Sequence, residues 1–178
     1  MIFKELSLPG AYIIELEKFE DERGFFAEIF NRRNFEKHQL GFSVAQTNVS
    51  FNKKRGTIRG MHFQIAPVEE IKLVQCIRGA IFDVIVDIRH DSPTYCKWIG
   101  FELTEQNREQ LYVPKGFAHG YETLKDDSEV LYMVSEFYDP KSARGVRWNE
   151  PMFGIRWPIT KEIIINARDA NYPNFQQE

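Results

Sequence analysis

Residues 72–88 read Lys72-Leu-Val-Gln-Cys-Ile-Arg-Gly-Ala-Ile-Phe-Asp-Val-Ile-Val-Asp-Ile88. Two runs rich in Val, Ile and Leu, Lys72–Ile77 and Ala80–Ile88, flank Arg78-Gly79. Such residues fit a pleated, half-buried surface. From Phe82 to Ile88, apolar and mixed positions interleave with the period of two expected of a sheet whose faces differ. Arg78-Gly79 between the runs reads as a hairpin turn. The same signature recurs on both sides, at Ala11–Leu16, Phe42–Val49, Thr57–Phe63, Lys97–Leu103, Gln110–Val113 and Glu129–Phe137. Helical signal is weak, the best stretch being the charged Asn31–Gln39 with an Asn in the capping position. Short strands in succession, without alternating helices, predict an antiparallel sandwich or barrel and disfavour a parallel α/β fold. No repeat, low-complexity stretch or linker interrupts the chain, so residues 1–178 are expected to form a single domain.

Composition narrows the functional classes. The chain is 43% hydrophobic and 28% charged, enough apolar material for a sizeable core and too much for a disordered chain. Its net charge of −3 supplies no global basic field, so nucleic acid is not the expected partner. No apolar run approaches the ~18 residues of a membrane span, and MIFKELSLPG at the start lacks the apolar stretch of a signal peptide. Two cysteines, Cys76 and Cys96, build no disulfide framework. The expectation is a reduced, cytoplasmic protein without a membrane partner.

Of the four histidines, His38 lies in the charged helical stretch and His90 at a strand end before Asp91-Ser-Pro; both read as solvated surface residues. His62 sits inside Arg59-Gly-Met-His-Phe-Gln64, a β-rich run with an arginine three residues earlier. His119 closes Pro114-Lys-Gly-Phe-Ala-His-Gly120, where Pro and Gly tighten a turn. Residue type alone leaves both open as core histidines or as working ones. The acidic pairs Glu69-Glu70 and Asp126-Asp127, and Asp91-Ser-Pro-Thr, read as turns and solvated faces without chemistry.

Pro-x-Gly-x-x-His is the second half of the motif pair of cupins, small jelly-roll barrels of the double-stranded β-helix type. Metal-binding cupins carry His-x-His in the first half. Here that place holds His62-Phe-Gln64, which leaves too few donors for a metal that wants three or four. A longer set of segments resembles the dTDP-4-dehydrorhamnose 3,5-epimerase family, metal-free cupin relatives. The set comprises Asp21-Glu-Arg-Gly-Phe-Phe-Ala-Glu28, Gln46-Thr-Asn48, Gly56–Gln64, Lys72-Leu-Val, Asp83–Arg89, Ser92-Pro-Thr, Pro114–Gly120, Tyr132, Arg147-Trp-Asn-Glu-Pro151 and Arg168-Asp169. Their joint order, across almost the whole chain, carries the resemblance.

The resemblance implies an all-β cupin-type barrel with few short helices that acts on a nucleotide-linked 4-keto-6-deoxy sugar. The keto group acidifies the hydrogens on C3 and C5. An enzyme then needs a base, an acid on the opposite face and a cation for the enolate oxygen, and no cofactor. By resemblance His62 is the base and Asp169 the carboxylate that orients it, Tyr132 the acid and Lys72 the enolate stabiliser. Arg23 and Arg59 are expected on the diphosphate, Glu28, Gln46 and Asn48 on base and sugar, and His119 on sugar or phosphate. Tyr138, near the end of the Glu129–Tyr138 strand, is expected against the substrate, and Arg168 toward the nucleotide. Ala143 stands where the family usually shows an acidic residue. The family forms homodimers through an N-terminal strand, and an exposed edge at Ile2–Leu6 would favour that. Two rival readings remain: a single-site epimerase or 3,4-ketoisomerase on the same fold, and a metal-binding cupin acting as sensor or oxygenase.

Overall fold

The structure is a computed structural model that describes residues 1–176 of the chain. In chain order its elements are β1 (Ile2–Glu5), β2 (Tyr12–Glu15), β3 (Phe19–Asp21), β4 (Gly24–Phe26), α1 (Arg32–Lys37), β5 (Gln46–Asn52), β6 (Ile58–Gln64), β7 (Lys72–Arg78), β8 (Ala80–Asp87), β9 (Trp98–Thr104), β10 (Gln110–Val113), β11 (Phe117–Thr123), β12 (Ser128–Val134), β13 (Ala143–Gly145) and α2 (Ala167–Ala170). Two antiparallel sheets dominate. One runs β1-β2-β10-β7-β12-β5, the other β13-β6-β11-β8-β9, and β3 and β4 form a separate small hairpin. Among the described residues no helix is long and apolar enough to cross a membrane.

Period-two alternation divides the apolar residues into three clusters. Val74, Cys76 and Leu111 of the first sheet meet Ile81, Ile85, Leu103, Phe117 and Tyr121 of the second, and these occupy part of the space between the sheets. Leu73, Tyr112 and Met133 point the other way and are covered by Phe35 of α1 with Leu40 and Phe42. Ile58, Met61, Val84, Val86 and Ala118, on the outer face of the second sheet, are covered by Val146, Phe153 and Trp157 from the C-terminal segment. That segment is tied down by polar groups as well. Buried Glu122 accepts the Ile159 N–H at 2.9 Å, and Thr57 bridges Ile164 in parallel.

The turn expected at Arg78-Gly79 does not make a hairpin. β7 pairs with β10 and β12, whereas β8 pairs with β11 and β9. Arg78-Gly79 therefore carries the chain from one sheet to the other. Gly79 has φ +77°, and a Cβ there would lie 2.4 Å from Ser128 Oγ, so the corner admits no side chain. A hairpin and a sheet-crossing corner place the same turn residues between the same alternating runs, and only the partners differ.

Other boundaries shift. The Phe42–Val49 strand begins at Gln46, and the helix at Asn31–Gln39 shortens to α1, with Asn31 Oδ1 accepting the Arg33 N–H at 3.1 Å. The Glu129–Phe137 strand ends at Val134, so Tyr138 stands beyond it. β11, the middle strand of the second sheet, was not expected at all. It is buried along its whole length, but Gly120, His119 and Glu122 break the apolar pattern by which a strand is recognised. The N-terminal β1 pairs with β2 of its own chain and occupies one edge of the first sheet.

Candidate active site

Apolar side chains fill the space between the sheets only in part. The remainder is a cavity of about 330 Å³ lined mainly by residues of β5, β6, β7, β11 and β12. On β5, Gln46, Asn48 and Ser50 face the cavity, while the alternate residues Thr47, Val49 and Phe51 are exposed outside. On β12, Val130, Tyr132 and Val134 face inward by the same rule, and on β7 so does Lys72.

β6 breaks the rule, and the break makes the site. Arg59 and His62 both line the cavity although they stand three steps apart, an interval that puts strand side chains on opposite faces. The pairing with β11 explains it: His62 lies opposite His119 and Arg59 opposite Tyr121, three steps on one strand against two on the other. The extra residue is a bulge that turns Arg59 back toward the cavity. Gly60, at φ +133°, permits it. A Cβ there would lie 2.5 Å from Gly120 Cα and 2.9 Å from the His119 carbonyl oxygen.

The bulge also frees the Gly60 N–H, which donates to Asp169 Oδ2 at 3.1 Å. The other oxygen of Asp169 lies 2.8 Å from His62 Nε2, across 107 positions of sequence. Asp169 is only 1% exposed and rides on α2, whose cap Asn166 accepts the Asp169 N–H at 2.7 Å. Burial would push this carboxyl up. The His62 hydrogen bond and charge, the Gly60 N–H and Arg168 outweigh it and hold Asp169 below the usual carboxylate range. An ionised carboxylate only accepts, so His62 donates to it from Nε2, and Nδ1 is the ring nitrogen left to exchange a proton with a substrate. The Tyr172 ring meets the imidazole edge-on at 5.8 Å between centroids.

Lys72 is nearly buried. Its ammonium donates to the His62 carbonyl at 3.3 Å and pairs with Glu70 at 3.0 Å. Burial raises the Tyr132 phenol above its ordinary value; Arg59 opposes that and Glu70 reinforces it. Tyr132 is thus protonated through the neutral range and able to donate. His119 Nε2 lies 2.8 Å from the fully buried Asp83. Arg59 Nε donates to Asn52 Oδ1 at 2.8 Å, which fixes the guanidinium at the cavity wall. Gln64, at the place where a metal-binding cupin puts a second histidine, is spent on the backbone. Its Nε2 donates to the carbonyls of Val68 and Phe137, and its Oε1 accepts the Asp139 N–H. No group of three or more His, Cys, Asp and Glu is placed to hold a metal among the described residues.

Gln46, Asn48, Arg59, His62, Lys72, His119, Tyr132, Tyr138 and Arg168 therefore share one cavity, and Asp169 stands directly behind His62. Arg23 and Glu28 are not among that cavity's lining. Arg23 projects from the β3–β4 turn, 90% exposed and paired with Asp21, and Glu28 accepts from Asn31 Nδ2. Sequence reading also missed residues that line the cavity. Ser50 and Tyr121, 2.7 Å apart, carried no motif. Glu70, read as a solvated face, has its side chain only 13% exposed against Lys72; the lysine two residues on, at the start of an apolar strand-like run, was the available signal.

Comparison with known proteins places the chain in a family. The family model described as dTDP-4-dehydrorhamnose 3,5-epimerase matches residues 5–177. The chain is 42% identical over 174 residues to the dTDP-4-dehydrorhamnose 3,5-epimerase of Sinorhizobium fredii, covering 98% of this chain and 89% of that one. It is similar, at 43% identity and TM-score 0.93, to the crystal structure of the Bacillus anthracis dTDP-4-dehydrorhamnose 3,5-epimerase with TDP and PPi bound, covering 98% of this chain and 100% of the other. ChmJ, a 3'-monoepimerase from Streptomyces bikiniensis seen with dTDP-quinovose, aligns at 34% identity and TM-score 0.86, over 95% of this chain and 85% of that one. With its cupin-type two-sheet fold and a match over nearly its whole length, the chain belongs to the dTDP-4-dehydrorhamnose 3,5-epimerase family and is an isomerase of the epimerase type.

Proposed function

We propose that the protein epimerises a nucleotide-diphospho-4-keto-6-deoxy-hexose at C3 and C5, of the kind that turns dTDP-4-dehydro-6-deoxyglucose into dTDP-4-dehydrorhamnose. The observation that carries this reading is one cavity holding an oriented imidazole, a protonated phenol and an ammonium. His62 Nδ1 takes the proton from the carbon beside the ketone, and the bond's electron pair moves into the enolate. Asp169 stabilises the imidazolium that forms. The Lys72 ammonium meets the charge on the enolate oxygen, where a preplaced cation acts most strongly. Tyr132 then gives its proton to the opposite face; the phenolate takes a proton from solvent and the imidazolium returns its own to solvent, which resets both groups for the second carbon. No redox step or cofactor is required.

Arg59 and Arg168 supply cations for the diphosphate and nucleotide, with Gln46, Asn48, His119 and Tyr138 positioning the rest. Arg23 and Glu28 enter this reading through a homodimer, in which the N-terminal segment of one copy serves the cavity of the other. The exposure of Phe19 and Phe26 beside Arg23, at 68% and 69%, supports such a covered surface. Sedimentation would show two copies per particle, and a monomer active at low concentration would overturn that part.

Incubation of the enzyme with dTDP-4-dehydro-6-deoxyglucose in D₂O, read by NMR, tests the reaction. Deuterium and inversion at both carbons are expected. The likeness to a 3'-monoepimerase favours, as second reading, inversion at C3 alone, which the same spectrum would show.

A further inference from the structure

The strand β7 turns Lys72 toward the cavity, but its backbone does not fix where the ammonium at the end of the side chain points. A lysine side chain has four rotatable carbons and an ammonium with three equivalent donors, so it delivers a charge without fixing an angle. An enolate stabiliser needs that angle. The structure supplies two anchors: the carbonyl oxygen of His62 at 3.3 Å and a carboxylate oxygen of Glu70 at 3.0 Å. Glu70 itself is well shielded, its side chain 13% exposed against 11% for Lys72, and it lines the same cavity. Its neighbour Ile71 is buried and bonded through its N–H to Ser135 Oγ at 2.8 Å, so the segment before β7 is fixed to the end of β12.

We infer that Glu70 is a positioning residue, which together with the His62 carbonyl directs two of the Lys72 donors so that the third points into the cavity. The inference rests on the epimerase reading above and deepens it. An ion pair this shielded is hard to justify by stability, because desolvating two charges consumes most of what their attraction returns. A carboxylate beside the stabilising cation also reduces the net charge available to the enolate. Its contribution is therefore orientation: an ammonium bonded on one side to the base's own backbone and on the other to Glu70 holds its distance from Nδ1 of His62 while the substrate changes charge. Preplacement of this kind is worth more than charge alone, since a misplacement near 1 Å costs roughly 10²-fold in rate.

The test compares Glu70→Ala and Glu70→Gln with the wild type on dTDP-4-dehydro-6-deoxyglucose, with kcat and KM determined separately. Glutamine keeps an acceptor oxygen for the ammonium and loses the charge; alanine loses both. Glu70→Ala is expected to lower kcat by about 10- to 10²-fold at nearly constant KM, and Glu70→Gln to restore kcat to within about 3-fold of the wild type. In a Lys72→Met background, Glu70→Ala is expected to have no further effect, because the group it positions is gone. A crystal structure of Glu70→Ala should show the Lys72 ammonium displaced from the His62 carbonyl. That structure decides the inference even if the wild type fails to turn this sugar over, an outcome that would defeat the epimerase reading instead. Unchanged kcat in Glu70→Ala, an additive loss on top of Lys72→Met, or a Lys72 side chain that stays in place would each overturn it.

Discussion

The cavity holds two histidine–aspartate pairs of equal length, and they are built differently. His62 and Asp169 are 2.8 Å apart, as are His119 and Asp83. Asp83 reaches His119 from the adjacent strand of the same sheet, β8 against β11, and its second oxygen has no hydrogen-bond partner among the described residues. Asp169 reaches His62 from a short helix on the C-terminal segment, and its second oxygen accepts from the Gly60 bulge. The His62 side chain, which lines the cavity, is 39% exposed; that of His119 is 10% exposed. A short bond to a carboxylate therefore does not by itself identify a base. What separates the pairs is the exposure of the imidazole, and whether the second carboxylate oxygen also accepts a hydrogen bond.

That contrast orders the expected effects. His62→Ala removes the proposed base and should lower product formation by about 10⁴-fold, the upper end of what positioned proton transfer contributes, with the fold intact. Circular dichroism alongside product NMR checks both halves. Tyr132→Phe should lower inverted product by ~10²–10⁴-fold while deuterium still enters the substrate, because deprotonation needs only His62 and Lys72. The ring volume is kept, so the melting temperature should hardly move. Full epimerisation by this variant would hand the proton donation to water or to another residue.

Asp169→Asn should cost roughly 10²-fold, less than losing the histidine, because it disturbs tautomer and charge and leaves the imidazole present. It also has a pH signature. Asp169 is held below its ordinary value in the folded chain. Its ionised form therefore stabilises the fold above the usual carboxylate pKa near 3.9, and that contribution is lost as pH falls through the lower folded value. The gap in urea midpoint between wild type and Asp169→Asn should be constant from pH 7 to 5 and close below about pH 4. A gap that stays open well below pH 4 would mean that the pair does not stabilise the ionised carboxylate. The smallest expected effect is that of exhaustive chelation, which should leave turnover unchanged, since Gln64 is committed to three backbone groups and His119 to Asp83. Loss of activity restored by a stoichiometric metal would revive the metal-cupin reading.

The strands and the antiparallel class were legible because alternation of Val, Ile and Phe is a local signal. Which strands pair is not local, and so the Arg78-Gly79 corner read as a hairpin. β11 was hidden for a related reason: a strand buried by its place between two others can carry His119, Gly120 and Glu122 in its interior, since neighbours and not hydrophobicity hold it there. The candidate site residues were legible only through family resemblance. Nothing in the spacing of His62 and Asp169 connects them across 107 positions, and the bulge that turns Arg59 and His62 to one face contradicts strand periodicity. Glu70 was misread because acidic residues between strands are usually solvated, and its burial comes from Lys72 and the cavity wall.

The claim that one of two matched histidine–aspartate pairs is the base is tested most directly by solvent exchange. His62→Ala and His119→Ala would each be incubated in D₂O with dTDP-4-dehydro-6-deoxyglucose, and deuterium at C3 and C5 followed by NMR. The expected result is no incorporation at either carbon for His62→Ala, and incorporation at both for His119→Ala, with a raised KM. Exchange at near wild-type rate in His62→Ala, or loss of exchange at one carbon in His119→Ala, would contradict it and assign the second pair a proton of its own.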